Sequence, residues 1–368
     1  MKKFISGTCV ILMSAAAYAQ TAPYANTNAV SQSGDNNTAD ISQIAVGKHE
    51  NQSTQIGNSN SVLVRQTYYF GQTTAYQQGD HNSATSIQGP TYDNRVFQTQ
   101  VGDWNSAHAT QNNGTYDVQI TQTQFGDGNQ MTASQYDGAR TWIDQVQSGN
   151  NNIASAAQVE DRVSDPYYHN GNDIDQVQQG DFNMATASQT GWGSDLDQIQ
   201  QGNSNTVSGA QLGAENTLAQ YQLAGDWNVA SASQSGDENE AVQYQEGSGN
   251  YVSLSQTGDL NSSVQSQVGS SNVAYGVQSG DEIVLIGAQS GVGNWASVDQ
   301  SGSSHSSIYS QTGDHNILTN LQSGSGHSSV SAQTGNWNVS TVTQSQTGHS
   351  HVGTQTGHGN SILVKQGN

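Results

Sequence analysis

QTGDHNILTNLQSGSGHSSVSAQTGNWNVSTVTQ, residues 311–344, places glutamine at Gln311, Gln322, Gln333 and Gln344, and a Q-x-G unit opens each interval. The same beat holds at every eleventh position from Gln234 to Gln366 and continues backwards, with small insertions, to Gln32. Seven residues ending on each of these glutamines form an arm, and there are thirty arms. Every second arm begins with asparagine, from Asn37, Asn60 and Asn82 through to Asn338 and Asn360. The intervening arms start less strictly, with His49, Thr141, Ser194, Ile283 or His305 among others. The repeat is therefore 22 residues, two arms and two turns, present fifteen times.

Within an arm, positions 1, 3, 5 and 7 alternate with 2, 4 and 6, which is strand periodicity. Asn250-Tyr-Val-Ser-Leu-Ser-Gln256 puts Val252 and Leu254 in the odd set and Tyr251, Ser253 and Ser255 in the even set. The odd set is assigned to the interior. Charge placement agrees: Asp40, Arg65, Asp144, Asp173, Asp175, Asp195, Asp197, Glu240 and Lys365 all fall at even positions, and no Asp, Glu, Lys or Arg takes an odd one. Burying a charge costs far more than burying a hydrogen-bonded amide.

A two-arm unit cannot bury its own interior and has to stack on copies of itself. The expected fold is all-β: a two-sheet parallel β-solenoid of cross-β type, about fifteen layers spaced about 4.8 Å apart. Stacking sets each residue over the one 22 positions away, so buried amides can bond to their own copies. The expected structural ladders run through Asn205, Asn228, Asn250, Asn272, Asn294, Asn316, Asn338 and Asn360, and through Gln211, Gln234, Gln256, Gln278, Gln300, Gln322, Gln344 and Gln366. An inner ladder is expected at position 5 of the less strict arms: Gln98, Gln122, Gln145, Gln176, Gln198, Gln220, Gln243 and Gln265. One edge is a uniform x-G-x-x seam whose turn glycines include Gly79, Gly180, Gly202, Gly247, Gly269, Gly291, Gly313, Gly335 and Gly357. Glycine permits the positive φ that a recurring tight reversal needs. The opposite edge collects the insertions, the longest at 159–171.

With 32% hydrophobic residues and 41 glycines, composition alone would suggest disorder, and the period argues against it. Lys2 and Lys3, the apolar run Phe4–Ala16 and the triplet Ala17-Tyr18-Ala19 read as a signal peptide, residues 1–19, cleaved after Ala19 and followed by a short segment 20–25. Its loss removes the only cysteine, Cys9, and leaves 6 basic residues against 29 acidic ones, a net charge of −23. Disulfide chemistry, membrane insertion and phosphate-mediated binding of nucleic acid are not expected, nor is a cofactor.

Ser194–Gln211, SDLDQIQQGNSNTVSGAQ, and Asn172–Gln189, NDIDQVQQGDFNMATASQ, resemble the curlin repeat, S-x5-Q-x-G-x2-N-x-A-x3-Q, of the curli fibre subunits that bacteria secrete into biofilm matrix. The resemblance covers residues 26–366. It implies a secreted subunit that crosses the outer membrane through a dedicated channel, meets a nucleator subunit at the cell surface and polymerises with itself into amyloid. The sequence departs from the family in having fifteen units and only residues 20–25 before the first arm.

Other readings rest on particular residues. His305, His327 and His349 are spaced by 22, with His351 beside them, and a metal stripe is the sharp reading of that column against a structural one. All six tryptophans, Trp104, Trp142, Trp192, Trp227, Trp295 and Trp337, fall at even positions or in turns, where they suit adhesion or simply lie on the surface. Asp-rich turns such as Gly79-Asp80 lack the G-G-x-G-x-D calcium pattern and read as turn formers and a source of charge repulsion. A polysaccharide-acting enzyme would need acid–base residues broken out of the repeat, and only the insertion with Glu160, Asp161, Asp165 and His169 offers them. The preferred reading is a non-enzymatic structural protein, with a monomeric surface adhesin or such an enzyme as the alternative.

Overall fold

An arm that alternates every second residue hides its odd positions only by lying as a strand with a second layer across from it. A computed structural model describes residues 25–44, 47–112, 116–160 and 171–367. The signal segment 1–19, most of 20–25 and residues 161–170 of the long insertion lie outside the described residues. Among the described residues thirty strands run from β1 (Thr27–Ser33) and β2 (Thr38–Ile44) to β29 (Ser350–His358) and β30 (Ser361–Gln366), and none is helical.

The odd-numbered strands form one fifteen-stranded parallel sheet and the even-numbered strands another, each strand pairing with the one two places along the chain. Pairing is copy on copy: Gln211 lies beside Gln234, and Leu196 beside Leu218. This is the expected two-sheet parallel solenoid. At the usual strand separation its fifteen layers make a rod roughly 70 Å long.

The odd positions meet in a thin core that is complementary in volume. Ile120, Ile143, Ile174 and Leu196 come from one sheet and Ala109, Ala133, Ala156 and Ala187 from the other, all within one buried cluster. Where the large side chain is bulkiest its opposite number shrinks further. A Cβ on Gly209 would stand 2.8 Å from Leu218 Cδ2 and 3.0 Å from Leu196 Cδ1, and one on Gly276 would stand 2.6 Å from Leu285 Cδ2. Close packing of this kind leaves no room for an added methyl without displacement.

The seam glycines named above have φ between +103° and +123°. A Cβ at Gly202 would run into the carbonyl oxygen of Gly225 in the next layer, and one at Gly313 into that of Gly335. The seam residue just before each asparagine is also left-handed, glycine or not, as at His81 (φ 60°), Trp227 (63°) and Trp337 (59°). On the opposite edge insertions occupy the early layers. From Gly191 onward that edge adopts the same reversal, with φ of +118° at Gly213 and +121° at Gly236.

Candidate functional site

Position 7 of each arm sits where the two sheets close onto a turn, so its glutamine can reach both up the stack and across it. Gln211 Nε2 donates one hydrogen to Gln234 Oε1 in the next layer (2.9 Å) and the other to the Asp195 carbonyl of the facing sheet (3.0 Å). Gln234 repeats this with Gln256 and Thr217, and Gln256 with Gln278 and Glu240. Gln300 donates to Gln322, Gln322 to Gln344 and Gln344 to Gln366, each at 2.7–2.8 Å. The amide thus ties layer to layer and sheet to sheet. The cross-sheet half has no periodic signature of its own and was not legible in the sequence.

One expected rung is missing. Gln278 Nε2 turns to the carbonyls of Ser262 and Ile283, and Gln300 Oε1 is buried without a partner. The break occurs in the layer where Ile283 opens the next arm, the first position of that arm carrying no polar atom.

The inner ladder is continuous from Gln98 through Gln122, Gln145, Gln176, Gln198 and Gln220 to Gln243, with Nε2–Oε1 distances of 2.7–2.9 Å. Gln243 reaches Gln265 at only 3.5 Å, and Gln265 Nε2 finds no acceptor. The next copy is Gly287. A Cβ there would strike the ring of Tyr309, which is buried in the space a glutamine would fill. Burial drives the Tyr309 phenol far above its ordinary value.

The asparagines do not simply bond to one another. Asn205 Nδ2 donates to the Gly225 carbonyl of the next turn (2.9 Å), and Asn205 Oδ1 accepts the Asn228 backbone N–H (2.9 Å). The donor side recurs from Asn228 to Gly247, Asn250 to Gly269, Asn272 to Gly291, Asn294 to Gly313, Asn316 to Gly335 and Asn338 to Gly357. Contacts from Nδ2 to the preceding Oδ1 add to these at 3.0–3.2 Å. Asn360, in the last layer, donates to Asn338 Oδ1 (2.9 Å) and the Thr356 carbonyl (3.0 Å). The expected asparagine-on-asparagine bonds are thus present, and bonds between side chain and backbone run beside them, which explains why the seam glycines and asparagines recur together.

The histidine column does the same work with a different group. His305 Nδ1 accepts the His327 N–H (3.3 Å), and His327 Nδ1 accepts that of His349 (3.2 Å). His305 Nε2 bonds to the Ser301 carbonyl and His327 Nε2 to that of Ser323. The rings stack at 5.1 and 5.4 Å, nearly parallel. Both nitrogens of His305 and of His327 are spent on backbone partners, so the column reads as an asparagine substitute. Burial lowers the His305 pKa, with a further lowering from His327, and burial likewise lowers that of His351.

On the surface, Asp144, Asp175 and Asp197 lie in register, as do Asp173 and Asp195. Burial first and then repulsion from Asp195 and Asp175 raise Asp173 to about 7, and burial with Asp144 and Asp197 raises Asp175 to about 6. Two pairs of aspartates 22 apart were the available signal. The turn acids prove to be caps: Asp80 N–H donates to Asp103 Oδ1, and Asp103 N–H to Asp127 Oδ1. Trp104 stacks on His81 at 4.0 Å and Trp337 on His315 at 4.4 Å. Trp227 is exposed. Of Glu160, Asp161, Asp165 and His169 only Glu160 is among the described residues; it is buried and accepts the Ala139 N–H.

Among the described residues both ends of the rod are open strand edges. Every residue of β1 is exposed, and Ile362 and Val364, odd positions of the last arm, are half-exposed. The ladders have a direction. At one end Gln32 and Gln43 donate inward, to Gln55 and Gln66. At the other, Gln355 and Gln366 give one hydrogen each to the facing sheet, to Val339 and Ser350.

The family model described as curlin-associated repeat matches residues 225–258, from seam glycine Gly225 through three arms to Gly258 in the following turn. No curated protein matches the chain.

Proposed function

We propose that the chain is a curlin-repeat protein with a structural rather than enzymatic role, a secreted subunit that polymerises end to end into curli-like amyloid fibres of an extracellular biofilm matrix. The observation that carries this reading is the polarity of the two ends. The position-7 glutamines, Gln278 apart, donate up the stack, so the first layer offers the Oε1 acceptors of Gln32 and Gln43 and the last offers the remaining amide hydrogens of Gln355 and Gln366. A second copy placed head to tail continues both ladders in the same sense. Edge strands otherwise have to be blunted or covered, and here they carry the same register as the interior.

Fixing a layer's backbone costs more entropy than its own hydrogen bonds return, so a chain gains most by adding to an existing edge. Cells would export the chain through an outer-membrane channel and start fibres on a nucleator subunit, and the fibres would hold cells together. The test is assembly of the purified chain followed by amyloid-dye fluorescence and X-ray diffraction. A lag abolished by sheared seeds, with a meridional reflection near about 4.7 Å, is the expected result. Soluble monomer at all concentrations, or growth indifferent to seeds, would sink the reading.

A further inference from the structure

The fourth arm position on the odd-numbered sheet points outward, and in the later layers it reads Val264, Ile286, Ile308, Val330 and Val352. Parallel pairing sets these five in one column. Val264, Ile286 and Ile308 are 39%, 42% and 39% exposed, close to the most that stacked neighbours allow. Two residues further along each strand stand Ser266, Ala288, Ser310, Ala332 and Thr354, all small. The face is thus an aliphatic ridge beside a shallow furrow, about 6.6 Å away along the strand.

We propose that this face joins two copies of the chain side by side, the ridge of each lying in the furrow of the other about a two-fold axis. The inference rests on the polymer reading above. Three features single out a second copy as the occupant. A ridge and a furrow of equal length on one surface are complementary to themselves, as an isologous contact requires. The corrugation repeats at the layer spacing, and a second copy carries that spacing along its whole length. Charge does not bar a like-charged copy from this patch. The chain carries a net charge of −21, yet the outward positions from Ser262 to Thr354 on this sheet hold no charge, while Glu240 and the aspartate column end the patch on its far side.

Area decides when pairing occurs. Five layers by three outward residues give roughly 24 by 14 Å, about 300 Å² per copy, well below the roughly 800 Å² that a stable interface takes from each partner. Single chains therefore stay apart. A fibre presents the patch again every fifteen layers, so contacts that fail singly hold together by multivalency.

Ile308→Asp puts a charge on the ridge, and Ser297→Asp puts one on the outer face of the other sheet as a control. Wild-type and S297D fibres are expected as laterally paired filaments by electron microscopy, and I308D fibres as single filaments. Elongation from seeds should stay within about twofold for both, because the ends are untouched. In a Cys9→Ser background, a mixture of I308C and S310C chains should form disulfide dimers at least about fivefold faster than either alone. I308D fibres that remain paired would overturn the proposal, as would a mixture that cross-links no faster than one containing S297C. A chain that forms no fibres at all defeats the polymer reading instead, and the mixed cross-link at high concentration then decides this face alone.

Discussion

The two edges of the rod start their arms under different rules. Behind the seam, every arm but the last begins with an asparagine that donates to a turn glycine and accepts the next asparagine's N–H, as Asn205 does with Gly225 and Asn228. Behind the opposite edge asparagines such as Asn216 and Asn239 supply the same pattern, but the place is also held by residues that supply only part of it. His305 and His327 supply an acceptor and a second bonded nitrogen. Ser194 supplies an acceptor for Asn216 N–H at 3.2 Å, and Ile283 supplies neither. The cost of relaxation is local and visible, since the rung from Gln278 to Gln300 is lost beside Ile283. A solenoid can vary one edge freely if the other keeps the register, because register error on either would turn the interior outward.

The sharpest way to break this contrast is a single methyl. Gly202→Ala forces a residue with a Cβ to φ +111° and drives that Cβ into the Gly225 carbonyl of the next layer. The expected loss is roughly 3–6 kcal/mol, strain and overpacking together. Gly138→Ala, in the insertion at 136–140 of the other edge, brings its Cβ only to 3.1 Å from Thr141 Oγ1, and a loss under about 1 kcal/mol is expected. Urea midpoints of the two variants measure the difference. Equal losses would show that the seam holds no privileged register.

A smaller effect is expected one residue deeper. Asn205→Ala leaves the Gly225 carbonyl and the Asn228 N–H without their side-chain partner, for about 2–3 kcal/mol. His327→Asn places the seam's residue at the relaxed edge and should change stability by no more than about 1 kcal/mol. If His327→Asn instead proved as damaging as Asn205→Ala, the imidazoles would be more than stand-ins, and the shared-geometry account of the column would fail.

What the sequence made legible follows from what has a period. Two sheets, an odd-numbered interior and glycine turns all recur at 22 residues and could be read off Asn250–Gln256 or the seam. Partners that share that period could not be told apart. Asn228 lies 23 residues after Asn205, and Gly225 only 20, so spacing alone favoured amide on amide where the carbonyl of the turn is the main acceptor. Compensations within and between columns were also hidden. Only the structure shows Tyr309, one layer on in the inner column, filling the space beside Gly287. Asn320 bonds Ser307 across the core at 2.7 Å, a pairing thirteen residues apart that no single column reveals.

The subtlest difference between the edges is protonation. Asparagine does not titrate, so the arm starts behind the seam are indifferent to pH, whereas His305 is not. Burial lowers the pKa of His305 and of His351 beneath the ordinary 6.5. The folded state therefore favours neutral imidazole, and the stability these groups contribute is present above pH 6.5 and lost as pH falls below it toward their folded values. The aspartates in the middle layers act in the opposite sense. With Asp173 raised to about 7 and Asp175 to about 6, the folded state binds their protons more readily than the unfolded chain, so those layers gain stability as pH falls from 7 toward 4. Global unfolding would average the two. Amide hydrogen exchange read by segment separates them: at pH 5.5 relative to 7.5, after correction for intrinsic rates, protection should fall in β29 and rise across residues 173–179. Replacing His305, His327, His349 and His351 together by asparagine should remove the loss in β29 and leave the gain in the middle layers. Acid sensitivity that survives the replacement would place its origin outside the column.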